Sequence, residues 1–182
     1  MKINKKLRIK QFVFILLFAF TSLFLSRQSE EGQYSGNNEF KINMGSLLVE
    51  FPELGYEHII NEESSVGISV AFPLDNDISY RFIIYPNYRI YFGNKRAAGF
   101  FIEGNSAIFS QRLQRDIIFG SVNADTTENK IGLGLGIAVG GKFLTKNGFI
   151  GELYLGGGRN FMNTDKIDEG YPRIGISIGK RF

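Results

Sequence analysis

The sequence predicts an all-β fold: an eight-stranded antiparallel up-and-down barrel of the transmembrane kind. Three observations carry that prediction. Over residues 131–143, Ile131, Leu133, Leu135, Ile137 and Val139 share one face, and Gly132, Gly134, Gly136, Ala138 and Gly140 the other. A period of two is a strand. The C-terminus repeats the device, with Pro172, Ile174, Ile176, Ile178 and Phe182 opposite Arg173, Gly175, Ser177, Gly179 and Arg181. Thirdly, the joins between such segments alternate between tight and long. A soluble sheet turns its bulk inward and its charge outward. Here continuous apolar faces are backed by glycine, serine or arginine, the arrangement of a barrel with lipid outside and a polar lumen.

The chain of 182 residues suffices for one domain. Residues 1–26 read as a signal peptide: Lys2, Lys5, Lys6, Arg8 and Lys10 precede the apolar run Phe12–Leu25. That run is shorter than the roughly 20 residues a spanning helix needs. Residues 27–38 form a polar segment, and 39–182 the barrel. The formal charge of +3 comes from the leader; without its five cations, 16 basic residues face 18 acidic ones. This balance removes the case for nucleic acid as a partner. With no cysteine in the chain, disulfides, cysteine metal sites and an N-terminal lipid anchor are excluded.

Eight strands follow in order. The first, about 40–50, changes phase between Phe40, Ile42, Met44 and Leu47, Val49, Phe51, which predicts a bulge near Gly45–Ser46. The second, about 53–60, sets Leu54, Tyr56, His58 and Ile60 against Gly55 and Glu57. The third, about 65–72, alternates Val66, Ile68, Val70 and Phe72 with small residues. In the fourth, about 79–92, Phe82, Ile84, Tyr88, Ile90 and Phe92 oppose Arg81, Asn87, Arg89 and Tyr91. Pro86 inside it predicts a bulge or bend, because proline removes a ladder hydrogen bond. The fifth, about 98–109, sets Phe100, Ile102 and Ile108 against Glu103, Asn105 and Ala107. After the glycine-faced sixth strand, the seventh, about 149–157, opposes Phe149, Leu153 and Leu155 to Glu152, Tyr154 and Gly156. The eighth runs from about 171 to the end.

The tight joins are 61–64, 93–96 and 145–148, the last with Asn147-Gly148, a hairpin signal. The long ones are 73–78, 110–130 and 158–170; only the first outer join, at Phe51-Pro52-Glu53, is short for its place. Periplasmic turns are short and outer loops long, so both chain ends fall in the periplasm. Phe92, Phe100, Phe143, Phe149 and Phe182 then lie at one membrane level, as an aromatic girdle.

The same alternation sends Glu57, Arg81, Arg89, Glu103, Glu152, Arg173 and Arg181 into the lumen. An eight-stranded barrel is just wide enough for side chains to fill, and buried charges must pair. A salt-bridged plug is expected, with a narrow ion path as its rival. The small inward residues are read as the room those long side chains need.

Other motifs carry little. Gly136–Phe143 follows a phosphate-cradling loop up to Lys142, but Phe143 replaces the required Ser or Thr and the context is a strand, not a strand–helix turn. His58 is the sole histidine, and its same-face neighbours Tyr56 and Ile60 do not form a base–nucleophile pair. Asp125, Glu128, Asp165, Asp168 and Glu169 lack calcium-loop spacing and read as solvated loop charge. No catalytic residue, cofactor site or metal site is predicted.

Tyr171-Pro-Arg-Ile-Gly-Ile-Ser-Ile-Gly-Lys-Arg-Phe182 resembles the terminal strand by which outer-membrane barrels are recognised for insertion, with Ile174, Ile176, Ile178 and Phe182 as its signal. Leu54-Gly-Tyr-Glu57, Tyr85-Pro-Asn-Tyr-Arg-Ile-Tyr-Phe92 and Gly99-Phe-Phe-Ile-Glu103 resemble a group of small Gram-negative outer-membrane barrels of unassigned function, similar to OmpA and OmpX. Asn87 departs from the acidic residue that group leads one to expect. The resemblance implies an outer-membrane location, outer-membrane lipid and the barrel-insertion machinery as partners, and no reaction. The expected role is non-enzymatic, structural or adhesive, through the long loops, where Ile117-Ile118-Phe119 is a candidate contact. The rivals are a lipid-modifying outer-membrane enzyme, a narrow solute path and a soluble lipocalin-like carrier.

Overall fold

A computed structural model describes residues 36–75, 78–113, 128–165 and 167–182. The expected signal peptide, most of the polar segment and Ile117-Ile118-Phe119 lie outside the described residues. The strands are β1 (Asn38–Asn43), β2 (Glu53–Ile59), β3 (Ser64–Ala71), β4 (Tyr80–Phe92), β5 (Gly99–Leu113), β6 (Glu128–Leu144), β7 (Phe149–Asn160) and β8 (Gly170–Arg181), with one short helix, α1 (Met44–Leu48). Each strand pairs antiparallel with its neighbour in sequence, and β1 pairs with β8, closing the barrel. The alternation read from the sequence sets which face is which. Ile137 is 70 % exposed on the outer wall, whereas Arg173 is 2 % exposed in the lumen. Every strand contributes exposed apolar side chains to the outer wall, from Phe40 on β1 to Ile174 and Ile176 on β8.

The tight joins cluster at one end. At the third, Gly148 takes φ 79°, the left-handed residue of a three-residue hairpin loop, and Thr145 N donates to Phe149 O. The long joins gather at the other end, with residues 161–169 between β7 and β8. The lumen is layered. Ala71, Ile83, Tyr85, Ala107, Phe109, Ile167 and Tyr171 form an apolar cluster towards the long-loop end, with Phe51 and Tyr80 packed against it. Ile59, Tyr91, Ala97, Phe101 and Tyr154 form another towards the short-turn end.

Three local expectations change. First, β1 stops at Asn43 instead of continuing to residue 50 through a bulge; the phase change is a helical turn. Asn43 Oδ1 caps it by accepting from Ser46 N at 3.3 Å, and Glu50 (φ 60°) turns the chain out of it. The first long-end join therefore runs over 44–52 and is not short. Secondly, Pro86 produces no bulge. Ile84 pairs with Ile108 and Asn87 with Asn105, the same register on both sides, so the proline interrupts the β4–β5 ladder without shifting it.

Thirdly, the bulge in β4 lies at Arg81: Tyr80 pairs with Gln111 and Phe82 with Ser110. The extra residue breaks the alternation, as bulges do, and Arg81 is exposed instead of pointing into the lumen.

Candidate functional site

The site is the lumen. β-strand alternation commits the inward positions of adjacent strands to one narrow space, and charge is concentrated among them. Among the described residues, ten charged side chains are buried: Glu39, Glu53, Glu57, Glu103 and Glu152 against Lys41, Arg89, Lys142, Arg173 and Arg181. Five acids meet five bases, so the interior is formally neutral.

They form one connected chain. At the short-turn end, Arg181 donates to Glu39 Oε1 at 2.6 and 2.8 Å and to the carbonyls of Arg96 and Ala97, tying β8 to the β4–β5 turn. Lys142 links Glu39 and Glu57, each at 2.7 Å. Lys41 contacts Glu57 and reaches Glu152 at 2.8 Å. Arg89 is the hub. Its guanidinium meets Glu57 at 3.0 Å, Glu152 at 3.0 Å and Glu103 at 2.7 Å. Arg173 then joins Glu103 at 2.9 Å to Glu53 at 2.6 Å. Neutral donors complete the acceptors: Ser65 and Tyr91 donate to Glu57 Oε1, and Asn105 to Glu103. Planar guanidinium groups suit this work because one fork can serve several carboxylates.

Aromatic rings hold the cations in place. Arg89 lies 4.4 Å from the centroid of Phe101, Lys142 4.5 Å from that of Tyr91, and Arg173 4.6 and 4.7 Å from those of Tyr85 and Tyr154. Several inward glycines make room for aromatic rings rather than for the charged side chains expected, while Gly179 does face Lys41. Phe101 pairs across the sheet with Gly140 and Phe109 with Gly132, while Tyr154 pairs with Gly175 and Tyr171 with Gly158. In each pair a Cβ on the glycine would strike the ring.

The space left among the central charges is about 10 Å³, roughly room for one water. Oxygens of Glu39, Glu57 and Glu152 lie within 4.8 Å of one another. The spacing suits a cation, but the ammonium groups of Lys41 and Lys142 already stand among these carboxylates. The arrangement brings together six of the seven residues read as lumen charges from the sequence: Glu57, Arg89, Glu103, Glu152, Arg173 and Arg181. Arg81 is the exception. Glu39, Lys41, Glu53 and Lys142 were not anticipated, although each sits in inward phase with a neighbour that was.

On the outer wall Phe92, Phe100, Phe143 and Phe182 are exposed, and the Phe92 and Phe100 rings stack at 6.0 Å. Phe149 is half-buried, with Lys180 Nζ 4.5 Å from its ring centroid. Ile174 and Ile176 are exposed beside them in the chain, and Ile178 is half-buried. His58 Nδ1 lies 2.9 Å from Asn38 Oδ1, which also accepts from Tyr56 Oη at 2.7 Å.

Comparison with known proteins gives the fold and little more. The structure is similar to the N-terminal β-barrel domain of Pseudomonas aeruginosa OprF, with a TM-score of 0.52 and 13 % sequence identity over 81 % of this chain and 98 % of that one. At that identity the likeness shows a common eight-stranded barrel. No family model matches the sequence, and no curated protein does.

Proposed function

We propose that the chain is a non-enzymatic outer-membrane barrel. On this reading it is exported through a cleaved signal, assembled by the barrel-insertion machinery, and structural or adhesive through its long loops. One observation carries the reading. The barrel is inside out relative to a soluble sheet, with an exposed apolar wall on every strand and ten paired charges sealed within. The charge network favours a structural over a conducting role, because ten buried and mutually paired side chains fill a lumen of this width. A lipocalin-like carrier needs an apolar cavity, which ten buried charges do not provide. The enzyme alternative rests on His58, whose recorded partner is an asparagine rather than a nucleophile.

Expression of the full chain in a Gram-negative host tests the proposal. The protein should fractionate with the outer membrane, resist alkaline extraction and migrate faster unheated than boiled. A soluble periplasmic product would overturn it. In planar bilayers no steady conductance is expected. Sustained single-channel current would replace the structural role with the ion path, and a mass shift in host lipid on overexpression would replace it with the enzyme. Surface adhesion lost on shortening the long loops would assign the adhesive form of the role.

A further inference from the structure

The barrel wall is uneven. β1, β2 and β3 have 6, 7 and 8 residues, while β4 to β8 have 12 to 17. A tilted strand needs about 9–11 residues to cross the hydrocarbon core, so β1–β3 fall short. The deficit lies at the long-loop end. β1 pairs with β8 only up to Asn43↔Ser177, and among the described residues the stretch of β8 from Gly170 to Ile176 has no strand beside it on that side. Yet Ile174 and Ile176 there are 57 % and 55 % exposed and apolar.

The segment 44–51 stands in the gap, and many of its backbone groups find partners within the protein. Asn43 imitates a further peptide unit: its Oδ1 accepts from Ile176 N and its Nδ2 lies 3.2 Å from Ile174 O. Ser46 N donates to Asn43 Oδ1. Val49 N, Glu50 N and Phe51 N donate to carbonyls of Ser46 and Leu47, and Glu50 O accepts from Leu74 N. Such internal satisfaction is unnecessary in a water-exposed loop and required in hydrocarbon. Phe51 turns inward, 6.3 Å from Tyr80. Leu48 and Val49 turn outward, 85 % and 67 % exposed, more than Ile174 and Ile176 of the adjoining wall.

We infer that residues 44–51 complete the lipid-facing wall on the low side of the barrel, with Leu48 and Val49 immersed in the outer-leaflet acyl region. The inference rests on the membrane reading above and extends its apolar wall across α1. The natural absence of cysteine permits a direct test. Leu48→Cys and Val49→Cys are spin-labelled in the full mature chain, in vesicles of phosphatidylethanolamine and phosphatidylglycerol. Ile137→Cys reports the wall and Asn147→Cys the aqueous turn. Collision with oxygen is compared with collision with a water-soluble nickel chelate. The oxygen-to-nickel ratio at 48 and 49 should rise from the level of Asn147→Cys to that of Ile137→Cys. If positions 48 and 49 match the turn while 137 reports lipid, the inference fails and the membrane reading stands. If 48 and 49 collide with neither reagent, a protein surface covers them and the inference fails likewise. If 137 also reports water, the membrane reading itself falls.

Discussion

Tyr154 lies directly across the β7–β8 ladder from Gly175, its ring filling the place a side chain at Gly175 would take. The same phenol is a polar hub: its oxygen is 3.2 Å from both Asn43 Nδ2 and Arg173 Nη1, and it is 3.5 Å from Glu53. Gly175→Val should therefore act on the charge chain as well as on packing. Overpacking of a filled core costs about 1–3 kcal/mol, and displacing Tyr154 removes a partner of Arg173. The urea midpoint of the heat-modifiable band should fall. Gly104→Ala is the control, since its added methyl meets nothing within 4 Å and should leave the midpoint in place.

Arg89 serves three carboxylates, so its loss exposes the worth of the hub. Arg89→Met keeps a long apolar stem over Phe101 but leaves Glu57, Glu103 and Glu152 with less compensation. Removing one partner of a buried ion pair costs about 3–5 kcal/mol. Urea unfolding in detergent should show a loss of that order or failure to fold. Arg89→Met together with Glu103→Gln should recover part of it, because the double change restores neutrality. A midpoint unmoved by Arg89→Met would show that the network contributes nothing to holding the wall.

Arg81 and Arg89 share a strand and an apparent phase, yet only Arg89 is buried. Arg81→Ala should leave the urea midpoint unchanged where Arg89→Met lowers it. This pair marks what the sequence could not express. Alternation is a local property and reads correctly from Phe82 to Phe92. The bulge at Arg81 follows from how Tyr80 and Phe82 pair with β5, which no single-strand pattern contains. Lys41 was obscured because the phase change after Met44 made β1 look irregular, when the strand simply ends at a helix cap. Glu53 stood in a presumed turn, and Lys142 followed a glycine pair that invited comparison with a phosphate loop. Charge neutrality was a signal for Arg81 alone. Three acids against four arginines left one positive charge in excess, costly in a lumen, and Arg81 is the one outside it; the four missed residues, two acids and two bases, sum to zero and left no such trace.

Salt separates this buried network from surface pairing. Added ions screen exposed charges, with a Debye length of about 3 Å at 1 M, but they screen buried and directly paired charges such as Lys41, Arg89 and Lys142 far less. The urea midpoint should be nearly the same in dilute buffer and in about 1 M sodium chloride. A steep fall with salt would mean that water and ions reach Lys41, Arg89 and Lys142, and would reopen the ion path.

Asn43 joins the charge chain to the low wall. Its Oδ1 accepts from Ser46 N and Ile176 N, and its Nδ2 lies 2.9 Å from Glu53 Oε2 as well as 3.2 Å from Ile174 O. Asn43→Ala strips the cap from α1 and leaves the β8 edge without its substitute for a strand. Loss of a helix cap costs about 1 kcal/mol, and a buried group left unsatisfied adds about 1–3 kcal/mol. Asn43→Asp keeps both acceptor bonds but sets a carboxylate against Glu53 and the Ile174 carbonyl, so it should be the more damaging change at neutral pH. Amide hydrogen exchange in detergent micelles checks both. Ser46 and Ile176 should lose protection in Asn43→Ala, while Ile102, on β5 between β4 and β6 and away from the seam, keeps its own. Unchanged protection at Ile176 would show that Asn43 does not close the seam.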